Sequence, residues 1–310
     1  MSSPFSTLSL QQSEEDPSIF SKELGKNFSE WGFCGIKDHG IDESLVKEVM
    51  NLFVRFFELP LENKLSYRNP NTGGARGYTP YKIETPKDGT SPDLKEFWHV
   101  GRELSSDSHY REWMPDNFKV HEIIDFNQKT KELFDQFDQL GKKLLSYIAV
   151  YLDLDKSYFE PRVDKGNSIM RAIHYPPVIK KEEGERAGPH EDINLITLLI
   201  GGHQSGLELL TKKGTWESIN LTEDVIICNI GDMLQRLTNN NLTSTTHRVR
   251  ATEEEYKTSR FSIPFFVHPN PDCLIQTLDN CYDSDNPNVY PESILAEDYL
   301  RERLKEIKLI

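Results

Sequence analysis

The chain has 310 residues, with 36 Lys plus Arg against 50 Asp plus Glu for a formal net charge of −14 at pH 7, and 36% of its residues are hydrophobic. That much apolar material can fill one large core or two modest ones, while the acidic balance argues against nucleic acid or an anionic membrane as partner, since both call for a basic footprint. The first twenty residues carry neither the basic nor the apolar segment of a secretory signal, no stretch approaches the ~18 apolar residues of a membrane span, and Cys34, Cys228, Cys273 and Cys281 form no CxxC pair, so the expected setting is the reducing cytoplasm.

In chain order, Phe20 to Trp31 reads as helix, Gly32 to Ile36 as a short strand, and Glu43 to Leu59 as a second helix with apolar residues at helical spacing. A Gly-, Pro- and Asn-rich stretch, RNPNTGGARGYTP (68–80), reads as loop. A long helical pattern runs from about Asp116 to Leu152. From Ser168 onward the texture changes to seven short runs separated by turn residues: SIMRAIHY, INLITLLI, GLELL, WESIN, VIICNIG, TTHRVR and RFSIPFFVH. Such runs predict a mainly β fold with flanking helices, a double-stranded jelly roll of the cupin kind. Residues 291–310 return to a helical period. The predicted organisation is a mixed α/β N-terminal region over 1–115, then the long helix, jelly roll and C-terminal helix over 116–310.

His190 and Asp192, which Gly188 and Pro189 precede in an expected loop, stand two apart, so on an extended segment both side chains face the same way and can chelate one ion. A third ligand, His247, lies much further along in TTHRV, which a sheet closed on itself can bring alongside. The other candidate histidines, His174, His203 and His268, are not so placed. Two imidazoles and a carboxylate suit ferrous iron and leave coordination positions open for other molecules; zinc accepts the same donors in tetrahedral geometry.

What separates the metals is Arg260 with Ser262, also two apart and therefore on one strand face. A guanidinium beside a hydroxyl cradles a carboxylate, a device zinc hydrolases do not need. Tyr175, just before Pro176 and Pro177, is placed to donate its phenol to the same carboxylate. If Tyr175 points inward, so do Ile173 and Arg171, and an inward Arg171 requires an anionic partner, either a protein carboxylate or an acidic substrate. Phe266, with Arg76 and Tyr78 of the RGYTP segment, is a further candidate for the pocket wall, each with packing as its alternative.

These residues resemble the isopenicillin N synthase-like family of iron(II)- and 2-oxoglutarate-dependent dioxygenases over nearly the whole chain. The N-terminal resemblance lies in WGFCGIKDHGI, FFELPLENK, RGYTP and DLKEFWHVG, and the C-terminal one in MRAIHYPP, GPHEDINLITLL, GLELL, NIGDMLQRLTNNNLTSTTHRV and RFSIPFF. It implies an iron held by His190, Asp192 and His247, and a 2-oxoglutarate whose far carboxylate meets Arg260, Ser262 and Tyr175. It also implies a reaction with O2 that oxidises, most simply hydroxylates, a small molecule and releases succinate and CO2. The chain departs from the plant-type pattern at Ile173 and His174, which replace an Asn and a Tyr and give a microbial look.

Three other readings remain beside it. One keeps fold and iron but dispenses with 2-oxoglutarate, as in oxidases and synthases of the same fold. Another is an ethylene- and succinate-forming enzyme that fragments 2-oxoglutarate itself. The third, of a different class, is a non-catalytic jelly-roll module that binds a ligand. Oligomeric state is not legible in the residues.

Overall fold

The computed structural model describes residues 3–307 apart from 73, 87, 88, 90, 179–183 and 202–204, so His203 lies outside it. In chain order the strands are β1 (Thr7–Ser9), β2 (Phe33–Lys37), β3 (Gly77–Thr79), β4 (Glu96–Gly101), β5 (Ile169–Tyr175), β6 (Ala187–His190) and β7 (Ile196–Ile200). They continue as β8 (Leu207–Leu210), β9 (Trp216–Ser218), β10 (Ile226–Ile230), β11 (His247–Val249) and β12 (Arg260–Val267), with a separate pair β13 (Leu274–Ile275) and β14 (Ile294–Leu295). The helices are α1 (Gln12–Glu15), α2 (Pro17–Glu30), α3 (Glu43–Phe57), α4 (Leu61–Ser66), α5 (Phe126–Tyr151), α6 (Glu160–Val163), α7 (Asp232–Leu237) and α8 (Ala296–Glu306).

Two sheets make a jelly roll. The larger has the order β1-β2-β10-β7-β12-β5-β4-β3 and the smaller β6-β11-β8-β9. All pairings within them are antiparallel except that of β1 with β2. Strands from before and after residue 115 therefore share one sheet. A compact apolar cluster that includes Phe33, Ile173, Leu209 and Val249 lies on the cavity side of the sheets, and a larger one joins the other face of the large sheet to the helices.

The helices follow from caps and stripes. Asp16 accepts from the Ile19 amide at the start of α2, which has Pro17 in its first turn; Asp42 accepts from the Ser44 and Leu45 amides at the start of α3. Leu45, Val49, Leu52, Phe53 and Phe56 form the buried stripe of α3. Helix α5 packs against the outer face of β12, where Phe265 stacks on Phe137 with ring centroids 5.1 Å apart and meets Phe134 edge-on at 5.0 Å. Gly141 lets that strand approach: a Cβ there would stand 2.7 Å from Val267 Cγ2.

Three expectations need correction. The long helix starts at Phe126 rather than near Asp116, because Asn127 bonds both the amide and carbonyl of Val120 (3.0 and 2.8 Å), Asn117 does the same for Gly101, and Asp125 is left-handed at φ 63°. Asparagine amides that imitate backbone partners hold this segment in an irregular path. At the C-terminus, Ile294 and Leu295 pair with Leu274 and Ile275 as strand, and the helix begins only at Ala296. Gly188 and Pro189 lie inside β6 rather than in a loop, which is tolerable because β6 is an edge strand where a missing N–H breaks no ladder. Among the described residues no helix is long and apolar enough to cross a membrane.

Phe265 is fully buried between strand and helix and touches nothing in the cavity. Phe265→Ala should lower the unfolding free energy by ~3–5 kcal/mol, the usual cost of emptying an aromatic site, as read from the denaturant midpoint. A loss below about 1 kcal/mol would contradict this packing.

Candidate metal centre

The antiparallel pairing of β6 with β11 sets the Cα atoms of His190 and His247 directly opposite each other, with ring centroids 4.3 Å apart. Asp192 follows two residues after the end of β6, and its Oδ1 lies 3.9 Å from Nε2 of each histidine. Among the described residues these three form the cluster able to share one ion, their ligand atoms all within 4.8 Å of one another.

The surrounding bonds leave the right atoms free. His190 Nδ1 donates to the Gly188 carbonyl at 2.8 Å and His247 Nδ1 to the Thr245 carbonyl at 3.1 Å, so each Nε2 keeps its lone pair for a metal. Asp192 Oδ2 is occupied, accepting from Thr197 Oγ1 of β7 at 2.6 Å and Asn229 Nδ2 of β10 at 2.8 Å, which leaves Oδ1 facing the two imidazoles. Asn194 in turn donates to Thr197 Oγ1. Burial, with the neighbouring His190, pushes His247 down to about 4, so it is neutral, the form that ligates. Burial opposes ionisation of Asp192, yet the two histidines and its two donors hold it below the ordinary aspartate value.

The residues expected to meet a carboxylate lie on the neighbouring wall. On β12 the two-residue period turns Arg260, Ser262, Pro264 and Phe266 toward a cavity of about 450 Å3, and on β5 it turns Ile169, Arg171, Ile173 and Tyr175 toward the same space. Arg260 pairs across the ladder with Tyr175, its guanidinium 5.2 Å from the phenol ring centroid, and Nη1 reaches Ser262 Oγ at 3.5 Å. Arg260 is 3% exposed, and its Nε has no hydrogen-bond partner. Burial lowers its pKa, so this is a desolvated cation with a donor to spare, the local condition that a bound carboxylate relieves.

Arg171 also faces the cavity, and its anionic partner is a protein carboxylate. Its Nη1 lies 3.1 Å from Glu84 Oε2, Nε reaches His99 Nε2 at 2.6 Å, and the guanidinium stacks over Phe97 and Phe266. Glu84 also meets Lys95, which pairs with Asp93 at 2.7 Å. Asp93 Oδ1 then accepts the Gly188 amide at 2.9 Å, so this network braces the strand that carries His190. Arg171, ahead of Lys95, holds Glu84 far below its ordinary pKa despite burial. Arg76 and Tyr78 serve packing instead: Tyr78 donates to Glu96, and Arg76 lies buried against Gly101. His174 is on the opposite strand face, bonded to Glu96 and stacked on Phe261.

Residues 4–122 match the family described as the N-terminal part of non-haem dioxygenases in morphine synthesis, and residues 166–269 match the 2OG-Fe(II) oxygenase superfamily. The 2-oxoglutarate-Fe(II) type oxidoreductase hxnY of Emericella nidulans is 31% identical over 89% of this chain and 81% of its own length. The chain belongs to the 2OG-Fe(II) oxygenase superfamily. A solved structure of a 2OG-Fe(II) oxygenase family protein from Caulobacter crescentus is 43% identical to this oxygenase, with a TM-score of 0.92 over 99% of this chain and 100% of that one. Neurospora crassa T7H, solved with alpha-KG and thymine, has a TM-score of 0.85 at 27% identity, covering 97% of this chain and 96% of its own. This oxygenase is therefore an Fe(II)- and 2-oxoglutarate-dependent dioxygenase, with iron(II) and 2-oxoglutarate as its cofactor and co-substrate.

Motif reading missed Thr197, Asn229 and Asn194, and also Glu84, Asp93 and Lys95. The first three sit in ordinary apolar runs, and only the pairing of β7 with β10, which sets Thr197 opposite Asn229, brings their polar groups together. Asn229→Leu removes one donor to Asp192 without touching the ligand set. It should weaken Fe(II) affinity of the oxygenase by ~10–100-fold, the usual cost of losing such a partner, as measured by anaerobic metal titration. Unchanged affinity would show that Asn229 does not orient the carboxylate.

Proposed function

We propose that His190, Asp192 and His247 hold the iron, that Arg260, Ser262 and Tyr175 hold the far carboxylate of 2-oxoglutarate, and that the enzyme hydroxylates a small molecule. The observation that carries this reading is the pairing of two unmet demands in one cavity: three ligand atoms converging on a common point, and beside them a buried guanidinium with a free Nε. When bound, iron(II) and 2-oxoglutarate activate O2 and couple decarboxylation of the keto acid, to succinate and CO2, with oxidation of a substrate C–H bond.

The protein's own part is orientation and exclusion of water. The Nδ1 bonds fix both imidazole rings, and the Thr197 and Asn229 donors fix the carboxylate plane. Arg260 supplies a fixed, buried positive charge on the wall, which orients a dicarboxylate with its other end toward the histidines. The cavity, about 450 Å3, suits a metabolite-sized substrate rather than a polymer, and the charge of −14 is unfavourable for nucleic acid. A form that dispensed with 2-oxoglutarate would leave the Arg260 Nε unmet.

Arg260→Gln should raise the 2-oxoglutarate concentration for half-maximal succinate release by ~10–100-fold, equivalent to ~1.4–2.7 kcal/mol, with iron content unchanged. An unaltered 2-oxoglutarate dependence would overturn the assignment of the clamp.

A further inference from the structure

The wall that β5 and β12 build has a second polar end, beyond the strands themselves. Past the last ladder pairs the two chains stay side by side: the Asn167 amide donates to the Pro269 carbonyl at 3.1 Å, and the His268 amide donates to Ser168 Oγ at 3.2 Å. The period that turns Arg260 and Ser262 into the cavity also turns His268 there, and the period of Tyr175 and Arg171 does the same for Asn167. Both side chains line the cavity. They are 6% and 7% exposed respectively. Eight residue steps, ~26 Å at ~3.3 Å each, separate His268 from Arg260 along the strand, so this end is not part of the co-substrate clamp.

The polar groups at this end are only partly satisfied by the protein, the Asn167 side chain meeting Glu297. Asn167 Oδ1 has no hydrogen-bond partner, and among the described residues the His268 ring forms no hydrogen bond. Burial pushes His268 down to about 4, opposed by Asp192 and helped by the Arg76 cation. The imidazole is therefore neutral and offers one N–H donor and one lone pair. Buried polar atoms are rarely left without partners, and those in a cavity await a ligand or water.

The buried charges of the same cavity behave differently. Arg171 pairs with Glu84, Lys95 with Glu84 and Asp93, and Glu297 with Arg301 through Oε1, its Oε2 keeping no partner. Once iron and 2-oxoglutarate take their places, no buried cation among the described lining residues is left for a substrate anion to pair with, and burial raises the pKa of Glu297, which disfavours its charged form. Between the two polar ends the wall is apolar at Ile169, Pro264 and Phe266.

We propose that His268 and Asn167 are the substrate-recognition pair of this enzyme, taking an uncharged molecule that presents an N–H beside a carbonyl, an amide or imide edge, with its apolar body over Ile169 and Phe266. The His268 N–H donates to the carbonyl, and Asn167 Oδ1 accepts the N–H. This rests on the dioxygenase reading above and names the substrate class for it. A site built around such hydrogen bonds discriminates strongly against analogues that lack them, because its own polar groups are then buried unmet.

The test uses thymine and δ-valerolactam as probes, with 1,3-dimethylthymine and N-methyl-δ-valerolactam as blocked counterparts and benzoate as an acid. Each is added to the full-length enzyme loaded with Fe(II) and 2-oxoglutarate, and succinate release is measured alongside the visible band of the iron-bound keto acid. The expected result is that at least one open amide edge raises succinate release tenfold or more over the probe-free rate, whereas its methylated counterpart and benzoate do not. His268→Leu and Asn167→Leu should each raise that probe's half-saturation at least tenfold with the band retained, and His268→Gln, which keeps a donor, should recover part of the loss. Equal stimulation by methylated probes or benzoate, wild-type half-saturation in the Leu variants, or no stimulation by any probe while the band is present would overturn the pair. Should the Leu variants lose the band through misfolding, His268→Gln and the blocked probes on the unaltered enzyme still decide. Absence of the band in the unaltered enzyme would instead overturn the dioxygenase reading.

Discussion

The alternation of β12 is the constraint on which the rest of the structure depends. Ile263, Phe265 and Val267 are fully buried on its outer side, with Phe265 against Phe134 and Phe137 of α5, while Arg260, Ser262, Pro264 and Phe266 face the cavity. A strand's side-chain period is two, so a slip of one residue would drive Arg260 into the aromatic packing and expose Phe265 to the cavity. The helix side therefore enforces the register that the cavity side needs. Pairing with β5 on one edge and β7 on the other extends that register to Tyr175 and to Thr197, so one strand aligns the proposed clamp and the support of the Asp192 carboxylate.

Asp192 links the two sheets. It comes off the end of β6 in the small sheet, yet its Oδ2 is held by Thr197 and Asn229 of the large one. That division of the carboxylate, one oxygen held by the scaffold and one left facing the histidines, needs the two sheets to face each other at a fixed separation. The His190 side is braced independently through Gly188, whose amide is held by Asp93 and whose carbonyl accepts the His190 Nδ1 proton. Asp93 in turn is paired with Lys95, which shares Glu84 with Arg171. Buried ionic networks of this sort contribute less to net stability than to geometry, because desolvation offsets much of their attraction. Here the geometry at stake is the position of His190, a proposed metal ligand.

How far the chain could be read before folding depended on whether a feature was local. His190 with Asp192, Arg260 with Ser262, and Tyr175 with Arg171 all sit at even spacing on extended chain, so the period of a strand alone puts each pair on one face. The jelly roll itself was legible in the short apolar runs from Ser168 onward. The partner of Arg171 was not, since Glu84 lies in a turn-rich segment with no period and meets the arginine only through the β4–β5 pairing that also sets His99 opposite it. Thr197 and Asn229 were hidden inside INLITLLI and VIICNIG, where a single polar residue in an apolar strand looks like an exception to be tolerated. The start of α5 was misjudged because the apolar spacing of Val120, Ile123 and Phe126 suits a helix, whereas the side-chain amides of Asn117 and Asn127 commit the chain to another path. Gly188 and Pro189 suggested a loop, and only the edge position of β6 explains why they are strand.

Iron and 2-oxoglutarate bound together in one site is the central claim, and the visible absorption spectrum of the protein loaded anaerobically with Fe(II) and then 2-oxoglutarate tests it most directly. A keto acid chelated to iron held by His190, Asp192 and His247 should produce a metal-to-ligand charge-transfer band that is absent with Fe(II) alone. Iron demonstrably bound, with no band at saturating 2-oxoglutarate, would contradict the account.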